Sequence, residues 1–441
     1  MGISSIKSRA LIYWKNKRIR QVFLLFSVNI ASIPIGIITS VILSRYLGPN
    51  GFGDYQFLNN IFTFCIPVFV FGFFNAANRA LVLNTNKEKA REYFGASFII
   101  LIGLFLIMST VLTFYSFIDS NLKEKHLNNL LLYSIPFGWI YFASNYFETL
   151  FQADNRINLL AISRLLPKIG FLISAAVIYW FLSQNTSRLQ VAWGLYISMQ
   201  AITCIYIFYK INLSFKNIKT VMHEIWQYNK TYGIHVYIGG AFSTSVASLS
   251  GILISYFAEN NSEVGFYSLA LSLSAPLSFI PNAIATTNYR EFAAHSRIPK
   301  KLTQLTLLLT SLSLIALWFI VPPFISYFYT DKFKPVVYLN LIVSITLACY
   351  GMADYYNRFL GSHGHGKLLR NTSFIFGSLI LIFSVVFIPR FGARGAAFAR
   401  LFGGVAYLLC MFYYYKKTVT KDIQKQDDDY YTKHLFNNDK N

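Results

Sequence analysis

The sequence is poor in acidic residues and in charge as a whole. It holds 18 Asp and Glu against 39 Lys and Arg in 441 residues, which gives a formal net charge of +21. Only 13% of the residues are charged, whereas 55% are hydrophobic. Soluble domains carry about 25% charged residues, so this composition excludes a soluble globular protein.

Cysteine is also scarce, with four residues that all lie inside apolar runs and form no CxxC spacing. We therefore expect small buried side chains, and neither disulfides nor a metal site. The pair His363 and His365 has no Cys or carboxylate beside it, which makes a poor ligand set. We predict no metal and no other cofactor. The four cysteines are Cys65, Cys204, Cys349 and Cys410.

Long apolar runs dominate what is present. Each run of about 20 residues can cross a hydrocarbon core of roughly 30 Å as a helix. A β-barrel would need alternating polar and apolar residues, whereas these runs are continuous. We therefore predict an all-α integral membrane protein of twelve transmembrane helices. The predicted spans are residues 21–44, 56–80, 96–118, 129–151, 162–183, 190–211, 234–257, 266–289, 304–328, 337–359, 371–389 and 394–415.

The positions of the basic residues indicate a topology. With the N-terminus in the cytoplasm, about 30 of the 39 Lys and Arg residues fall on the inner side of the membrane. Both termini are therefore predicted to be cytoplasmic, as is the polar stretch 212–233, while 184–189 and 329–336 face outward. Because the basic residues are spread over short loops between spans, the net charge does not indicate a nucleic-acid partner.

The sequence repeats itself at half its length. The segment 43–55 returns in degraded form at 254–267, where Gly265 and Tyr267 correspond to Gly53 and Tyr55. A second pair, 145–150 and 354–359, has nearly the same offset of about 210 residues, which is typical of internally repeated transporters. Because each half has an even number of spans, we predict parallel repeats around a central cavity.

The repeat divides the chain into two lobes of six spans each. Between and around them we predict a cytoplasmic linker and two cytoplasmic ends. The predicted segments are a cytoplasmic arm 1–20, an N-lobe 21–211, a linker 212–233, a C-lobe 234–415 and a cytoplasmic tail 416–441.

Three segments resemble a known family. Arg-Tyr-Leu-Gly-Pro-Asn-Gly-Phe-Gly-Asp-Tyr at 45–55, Val-Gly-Phe-Tyr-Ser-Leu-Ala at 264–270 and Phe-Gly-Ala-Arg-Gly-Ala-Ala at 391–397 are similar to Wzx-type O-antigen and capsule polysaccharide flippases. These flippases belong to the multidrug/oligosaccharidyl-lipid/polysaccharide (MOP) exporter superfamily, and the resemblance extends over nearly the whole chain through length, span count and repeat.

The resemblance implies a MATE-like fold and a transport function. It implies that the chain flips undecaprenyl-diphosphate-linked oligosaccharide repeat units from the cytoplasmic to the periplasmic leaflet of the bacterial inner membrane by alternating access. It also implies a polysaccharide polymerase and a chain-length regulator as partners. The predicted external loops are short and hold no acid pair or nucleophile–base set, so we predict no enzymatic activity of the chain itself. The local motifs identify the fold better than the substrate, and none of them names a sugar.

Other functions stay open at this point. A cation-coupled multidrug exporter of the same superfamily needs a carboxylate embedded in the membrane, and the first predicted span has none. A peptidoglycan-precursor flippase is typically two spans longer. A membrane polysaccharide polymerase or glycosyltransferase usually carries catalytic groups in a large external loop, whereas the external loops predicted here are short.

Charged residues within the predicted spans are the candidate binding residues. A charge near the bilayer centre costs at least ~2.5–3.5 kcal/mol, so it usually faces an aqueous cavity or a partner. Because the basic candidates outnumber the acidic ones, we expect a cationic lumen suited to a diphosphate, whose oxygens match the planar fork of arginine. The substrate-binding candidates are Arg400, Arg79, Arg290, Arg358, Lys168 and Arg164.

The alternative is that arginines of this set extend to the lipid headgroups of the inner leaflet and only fix the topology. It applies to Arg79, Arg164, Arg290 and Arg358, which lie toward the inner ends of their spans. Arg400 lies deeper in span twelve, and the small residues of 395–397 before it would let its helix approach a neighbour. We therefore expect Arg400 to face the cavity.

Two acidic residues, Glu148 and Asp354, occupy near-equivalent positions in the two halves. They are candidates for proton or cation coupling. The alternative is a structural role, in which Glu148 or Asp354 pairs with Arg156 or Arg358 at the inner surface. Arg358 follows Asp354 by four residues, which is the spacing of an intrahelical ion pair.

Overall fold

The computed structural model describes residues 17–84, 86–181 and 187–438, and every regular element in these ranges is a helix. The predicted all-α class is therefore confirmed. Most of the predicted N-terminal arm (1–16), positions 184–186 of a predicted outer loop and the last three residues (439–441) lie outside the described residues.

The chain divides into two compact units, 1–265 and 266–441. The helices up to the linker are α1 (Lys17–Phe69), α2 (Phe73–Leu83), α3 (Lys87–Ile118), α4 (Ser120–Glu124), α5 (Asn128–Ser134), α6 (Trp139–Ala153), α7 (Ile157–Phe181), α8 (Arg188–Ile211) and α9 (Ile218–Tyr228). The remaining helices are α10 (Ile234–Phe257), α11 (Ser262–Ser274), α12 (Pro276–Thr287), α13 (Tyr289–Ala294), α14 (Lys300–Phe328), α15 (Pro335–Ser362) and α16 (Gly366–Asn438).

Two of these helices are too long for a single crossing. Helix α1 has 53 residues, or about 80 Å at 1.5 Å per residue, against a hydrocarbon core of roughly 30 Å. It is interrupted at Gly48, which has a φ of 70° that the absence of a Cβ makes accessible. Pro49 follows and cannot donate a backbone hydrogen bond. The break coincides with the predicted turn between spans one and two.

Helix α16 is interrupted in the same way. Gly392 has a φ of 54° and a ψ of −130°, between the predicted spans 371–389 and 394–415. Across the described residues, eight helical segments are long and apolar enough to cross a membrane, and two of these are the apolar parts of α1 and α16. The twelve individual spans stay a prediction.

The two copies of the repeated motif lie against each other. A Cβ built on Gly53 would come 1.7 Å from the carbonyl oxygen of Asn261, and one on Gly265 would come 3.1 Å from the nitrogen of Gly53. Asn261 is fully buried, and its side-chain amide donates to Asp54 at 2.8 Å. Equivalent positions of the motif copies therefore lie in contact, an arrangement expected of parallel repeats related by an axis along the membrane normal.

The glycines of the first motif have different roles. Only Gly48 has a positive φ, whereas Gly51 and Gly53 are helical. Gly53 is required for close approach of the Asn261 backbone, and no turn geometry depends on it. The distinction arises from tertiary contact, which the local sequence does not report.

Lys125 joins the same polar cluster from the turn after α4. Its ammonium donates to Asn261 Oδ1 at 3.1 Å, to the carbonyl of Ala258 at 3.2 Å and to the backbone carbonyl of Ser255. Burial lowers the pKa of Lys125, and the nearby Asp54 carboxylate opposes this effect. The cluster fixes the turn between α10 and α11 on the rest of the first unit.

The predicted linker is itself structured. Helix α9 buries Val221 and Ile225, and Glu224 forms a salt bridge with Lys89 at 3.0 Å. Partial burial raises the pKa of Glu224, but hydrogen bonds from Tyr93 and Lys89 outweigh it, so the net pKa is lowered. The linker is therefore anchored to the N-terminal turn of α3.

The boundary between the compact units differs from the predicted boundary between the lobes. Helix α10 begins the predicted C-lobe, yet it belongs to the first compact unit. The last residue of the linker, just before α10, packs against the residue before α2: a Cβ on Gly72 would lie 2.6 Å from the backbone of Gly233. The compact units follow from contacts within the structure, whereas the predicted lobes follow from the repeat in the sequence. The predicted lobe limits therefore stay a prediction.

The predicted topology can be tested with two exposed lysines. In a variant without its four native cysteines, we expect Lys216→Cys, in the linker, to react with a membrane-impermeant thiol reagent only after the cells are permeabilised. Lys332→Cys, in the predicted outer loop 329–336, should react in intact cells. Both side chains are exposed, so burial does not limit either reaction. Labelling of both residues from the same side would contradict the topology.

Candidate functional site

The candidate site lies within the second unit, around Arg400. Its helix α16 presents the guanidinium to Tyr267 of α11, whose hydroxyl accepts from Nη1 at 3.4 Å. Tyr350 of α15 is a second close neighbour. The Nε of Arg400 is buried and has no hydrogen-bond partner among the described residues. Arg400 is thus held inside the helices with donor capacity left over.

Small residues give Arg400 this position. A Cβ on Gly395 would lie 2.3 Å from the carbonyl oxygen of Phe387, and Ala396 and Ala397 are fully buried. The two arms of α16 therefore pack closely after the break at Gly392, as the small-residue run predicted. One turn beyond Arg400, a Cβ on Gly404 would lie 2.8 Å from the Tyr350 ring, so this glycine makes room for the tyrosine.

The polar groups continue along α15 and α16 to Asp354. The rings of Tyr350 and Tyr407 meet edge to face with centroids 6.3 Å apart. The Tyr407 hydroxyl donates to Asp354 Oδ1 at 2.9 Å and accepts from Asn357 at 3.0 Å. Asn282 of α12 donates to the other carboxylate oxygen at 3.4 Å. We call this set from Arg400 to Asp354 the tyrosine chain.

The predicted intrahelical pair of Asp354 with Arg358 is not formed. No salt bridge joins them in the described structure, and Arg358 is exposed while Asp354 is partly buried. Asp354 instead takes its hydrogen bonds from neutral donors on α16 and α12. Asp354 and Arg358 have the i,i+4 spacing of an ion pair, but one side chain is partly buried and the other is exposed.

Glu148 is paired, as the structural interpretation required, but with a different arginine. Two nitrogens of Arg164, on α7, donate to the Glu148 carboxylate, and the distance from Nε to Oε2 is 2.9 Å. Arg164 also donates to Asn29 at 3.0 Å. Arg156, the expected partner, is bound to Asp154 at 2.5 Å. The pair therefore joins two neighbouring helices, α6 and α7, and the spacing of residues within one helix could not predict it.

The other basic candidates are dispersed. Lys168 lies one turn after Arg164 on α7 and is exposed. Arg79 on α2 is also exposed and lies over the ring of Tyr232 at 5.6 Å. The side chain of Arg290, at the start of α13, lies outside the described part of the chain. Arg164 and Lys168 share one region of the first unit, and Arg400 and Asp354 share one region of the second.

Sequence reasoning missed the tyrosines of this site. Tyr267, Tyr350 and Tyr407 link the two charged residues that it had selected separately. In a chain with 30 Tyr and 42 Phe, an aromatic residue within a span is usually core or interfacial belt. The available signal was that Tyr350 and Tyr407 lie in the predicted spans that contain Asp354 and Arg400, and that Tyr267 belongs to the second copy of the repeated motif.

The arrangement suits an anionic group. A guanidinium removed from water attracts a phosphate or carboxylate more strongly than an exposed one does. The Nε of Arg400 is buried and forms no hydrogen bond with the described residues, and an unsatisfied charged group of this kind is energetically costly. The tyrosine hydroxyls beside Arg400 add neutral hydrogen-bond donors and acceptors, which could bind the hydroxyl groups of a sugar.

The apolar helices define a multi-pass membrane protein. Comparison by sequence then gives its family. Residues 19–289 match the family described as polysaccharide biosynthesis protein, and because the match covers more than half of the chain, the protein belongs to this family. No curated protein sequence matches the chain.

Solved structures share the fold over nearly the whole chain. The lipid II flippase MurJ in an inward closed conformation has a TM-score of 0.70 at 15% identity, over 90% of this chain and 89% of that one. An inward-facing multidrug resistance MATE transporter of the MOP superfamily has a TM-score of 0.67 at 12% identity, over 88% and 94%. The MATE multidrug transporter DinF-BH has a TM-score of 0.60 at 14% identity, over 90% and 96%. These likenesses establish the MOP-type fold.

Proposed function

We propose that the protein flips undecaprenyl-diphosphate-linked oligosaccharide repeat units, of the O-antigen or capsule type, from the cytoplasmic to the periplasmic leaflet by alternating access. Membership of the polysaccharide biosynthesis family supports a polysaccharide-related cargo. The fold shared with a lipid II flippase supports a lipid-linked one. The observation that carries the proposal is Arg400, a guanidinium within the second unit whose Nε lacks a partner among the described residues.

Arg400 serves in this proposal as the diphosphate contact during translocation. A diphosphate crossing the bilayer needs a positive charge at depth, and the planar guanidinium fork matches its oxygens. Tyr267, which already accepts from Arg400, would hold the guanidinium while the substrate takes the remaining donors. Arg79, Arg164, Lys168, Arg290 and Arg358 are weaker candidates for the approach to this contact.

Asp354 serves as the coupling residue. It is bound by the neutral donors Tyr407 and Asn282, so its charge has no salt-bridge partner among the described residues and is free to exchange a proton or bind a cation. Glu148 is already neutralised by Arg164. Of the two acidic candidates, Asp354 is therefore the one whose state a driving ion can change.

A cation-coupled multidrug exporter of the same superfamily is the alternative. It is supported by the fold shared with MATE transporters. Against it, α1 has no Asp or Glu between Lys17 and Leu47, and the unsatisfied charge at the site is positive, which repels cationic drugs. A membrane polysaccharide polymerase is a third, weaker candidate.

The setting follows from this function. We place the protein in the bacterial inner membrane with both termini in the cytoplasm. A polymerase that joins the flipped repeat units and a chain-length regulator would act on its product. The bilayer and the lipid-linked oligosaccharide are its direct partners.

Reconstitution distinguishes the two transport functions. In proteoliposomes, we expect the protein to expose a diphosphate-linked oligosaccharide lipid from the inner leaflet to a membrane-impermeant oxidant, faster than protein-free vesicles do. A lipid with the same glycan and a neutral linkage should move more slowly, because it lacks the charge that Arg400 recognises. Ion-driven uptake of a cationic dye without lipid flipping would instead establish the exporter.

A further inference from the structure

A basic cavity of about 400 Å³ opens in the first unit and is lined by none of the residues of the tyrosine chain. It is bounded by the first turn of α3, the turn between α6 and α7, and the last turn of α8. These are the ends of predicted spans on one side of the membrane, the side assigned to the cytoplasm. Its charged lining consists of Lys87, Arg91, Asp154, Arg156 and Lys210.

Two guanidiniums of this cavity are fixed by the C-terminal end of α8. Arg156 donates to the carbonyl of Ile211 at 3.2 Å, and Arg91 donates to that of Asn212 at 3.0 Å. Arg156 also lies over the ring of Phe94 at 4.5 Å. These contacts satisfy the last carbonyls of a helix, a favourable site for cations, and they hold both guanidiniums in place at the cavity.

The cavity has a net positive charge. Asp154 is the one carboxylate in its lining, and Arg156 already neutralises it at 2.5 Å. Lys87, Arg91 and Lys210 form no salt bridge with the described residues. Three cations therefore remain for a ligand, together with the guanidinium donors that the α8 carbonyls leave unused.

The surface leading away from the cavity is apolar. Ile202, Ile205 and Tyr209 are exposed on one face of α8, at the i, i+3 and i+7 spacing of a single helical stripe. Lys210 lies over the ring of Tyr206 at 5.8 Å, and exposed tyrosines at a span end are typical of the membrane–water interface. The stripe ends at Tyr209, one residue before Lys210, which lines the cavity.

We propose that this cavity, between the ends of α3, α6 and α8, binds the phosphate of an anionic phospholipid headgroup, with an acyl chain along the α8 stripe. Basic pockets between transmembrane helices on the cytoplasmic side suit such headgroups. The phosphate is bound by Lys87, Arg91 and Lys210, and Arg156 supports them from its place on Phe94. None of its lining residues has a role in the transport function proposed above.

Native mass spectrometry of the full-length protein tests the site. We expect phosphatidylglycerol to bind more tightly than phosphatidylcholine with the same acyl chains. Lys87→Gln/Lys210→Gln should weaken phosphatidylglycerol binding about thirtyfold, because each basic residue near an anionic lipid contributes roughly 1 kcal/mol. Both lysines are exposed, so the double variant keeps the packing of α3 and α8.

The matched control is Lys300→Gln/Lys301→Gln, which removes the same charge from the exposed first turn of α14. It should bind phosphatidylglycerol as the parent does. Equal losses in both double variants would overturn the site, since they would show only a general effect of charge. Inorganic pyrophosphate tests the other source of phosphate: if it saturates the site and phosphatidylglycerol does not displace it, the headgroup assignment is wrong.

Discussion

Replacing Arg400 with Met should reduce the flipping rate of a diphosphate-linked substrate by about tenfold to 150-fold, because a hydrogen bond to a charged group contributes roughly 1.5–3 kcal/mol. Methionine keeps much of the length of the side chain and removes its charge. Arg400→Lys retains the charge and loses the planar fork, so we expect an intermediate rate. The measurement is the rate of substrate exposure in proteoliposomes, together with surface polysaccharide restored in a deletion strain.

Stability separates a transport role from a structural one. The Nε of Arg400 is buried without a partner among the described residues, so its removal relieves an unsatisfied charge and should leave the melting temperature unchanged or raised. The matched control is Arg394→Met on the same helix. Arg394 is exposed and lies over the Tyr338 ring at 5.2 Å, so its loss should leave flipping intact. Normal flipping by Arg400→Met at equal protein level would remove Arg400 from the mechanism.

Local sequence was sufficient for the breaks in the long helices. Gly48 followed by Pro49 combines a residue that tolerates positive φ with one that ends a hydrogen-bond ladder. Gly392 likewise interrupts one apolar run that would otherwise be continuous. These features act through their immediate neighbours, so the turns could be placed without knowledge of the packing.

Long-range contacts were not accessible in this way. The structural alternative paired Glu148 with the nearby Arg156, whereas Arg164 reaches it from the next helix. Asp354 was assigned to Arg358 by an i,i+4 rule, yet its hydrogen bonds come from Tyr407 and Asn282. A spacing rule describes only one helix, and hydrogen bonds between neighbouring helices of a membrane bundle compete with it.

The repeated motif shows how the two kinds of information combine. Its recurrence in the sequence identified Gly53 and Gly265 as equivalent positions. The structure adds that these equivalents touch, and that the turn at Asn261 from the second copy fills the space beside Gly53. Gly53 thus has an ordinary helical conformation, and its importance comes entirely from the approach of the other copy.

Gly53→Ala should therefore destabilise the protein severely. The new methyl would lie 1.7 Å from the carbonyl oxygen of Asn261, which is backbone and cannot rotate away. The turn must move, and Asn261 would then lose its hydrogen bonds with Asn50, Asp54 and Lys125. Overpacking alone costs about 1–3 kcal/mol, and the lost buried hydrogen bonds add about 1 kcal/mol each.

Gly36→Ala is the matched control, because it lies in the same helix and a Cβ there meets nothing within 4 Å. We expect it to match the parent or exceed it slightly, since alanine favours a helix over glycine by roughly 0.5–1 kcal/mol. The measurement is the temperature at which the monodisperse peak disappears in size-exclusion chromatography after heating. Because the contact joins the two motif copies, a Gly53→Ala protein as stable as Gly36→Ala would show that they do not pack together as described.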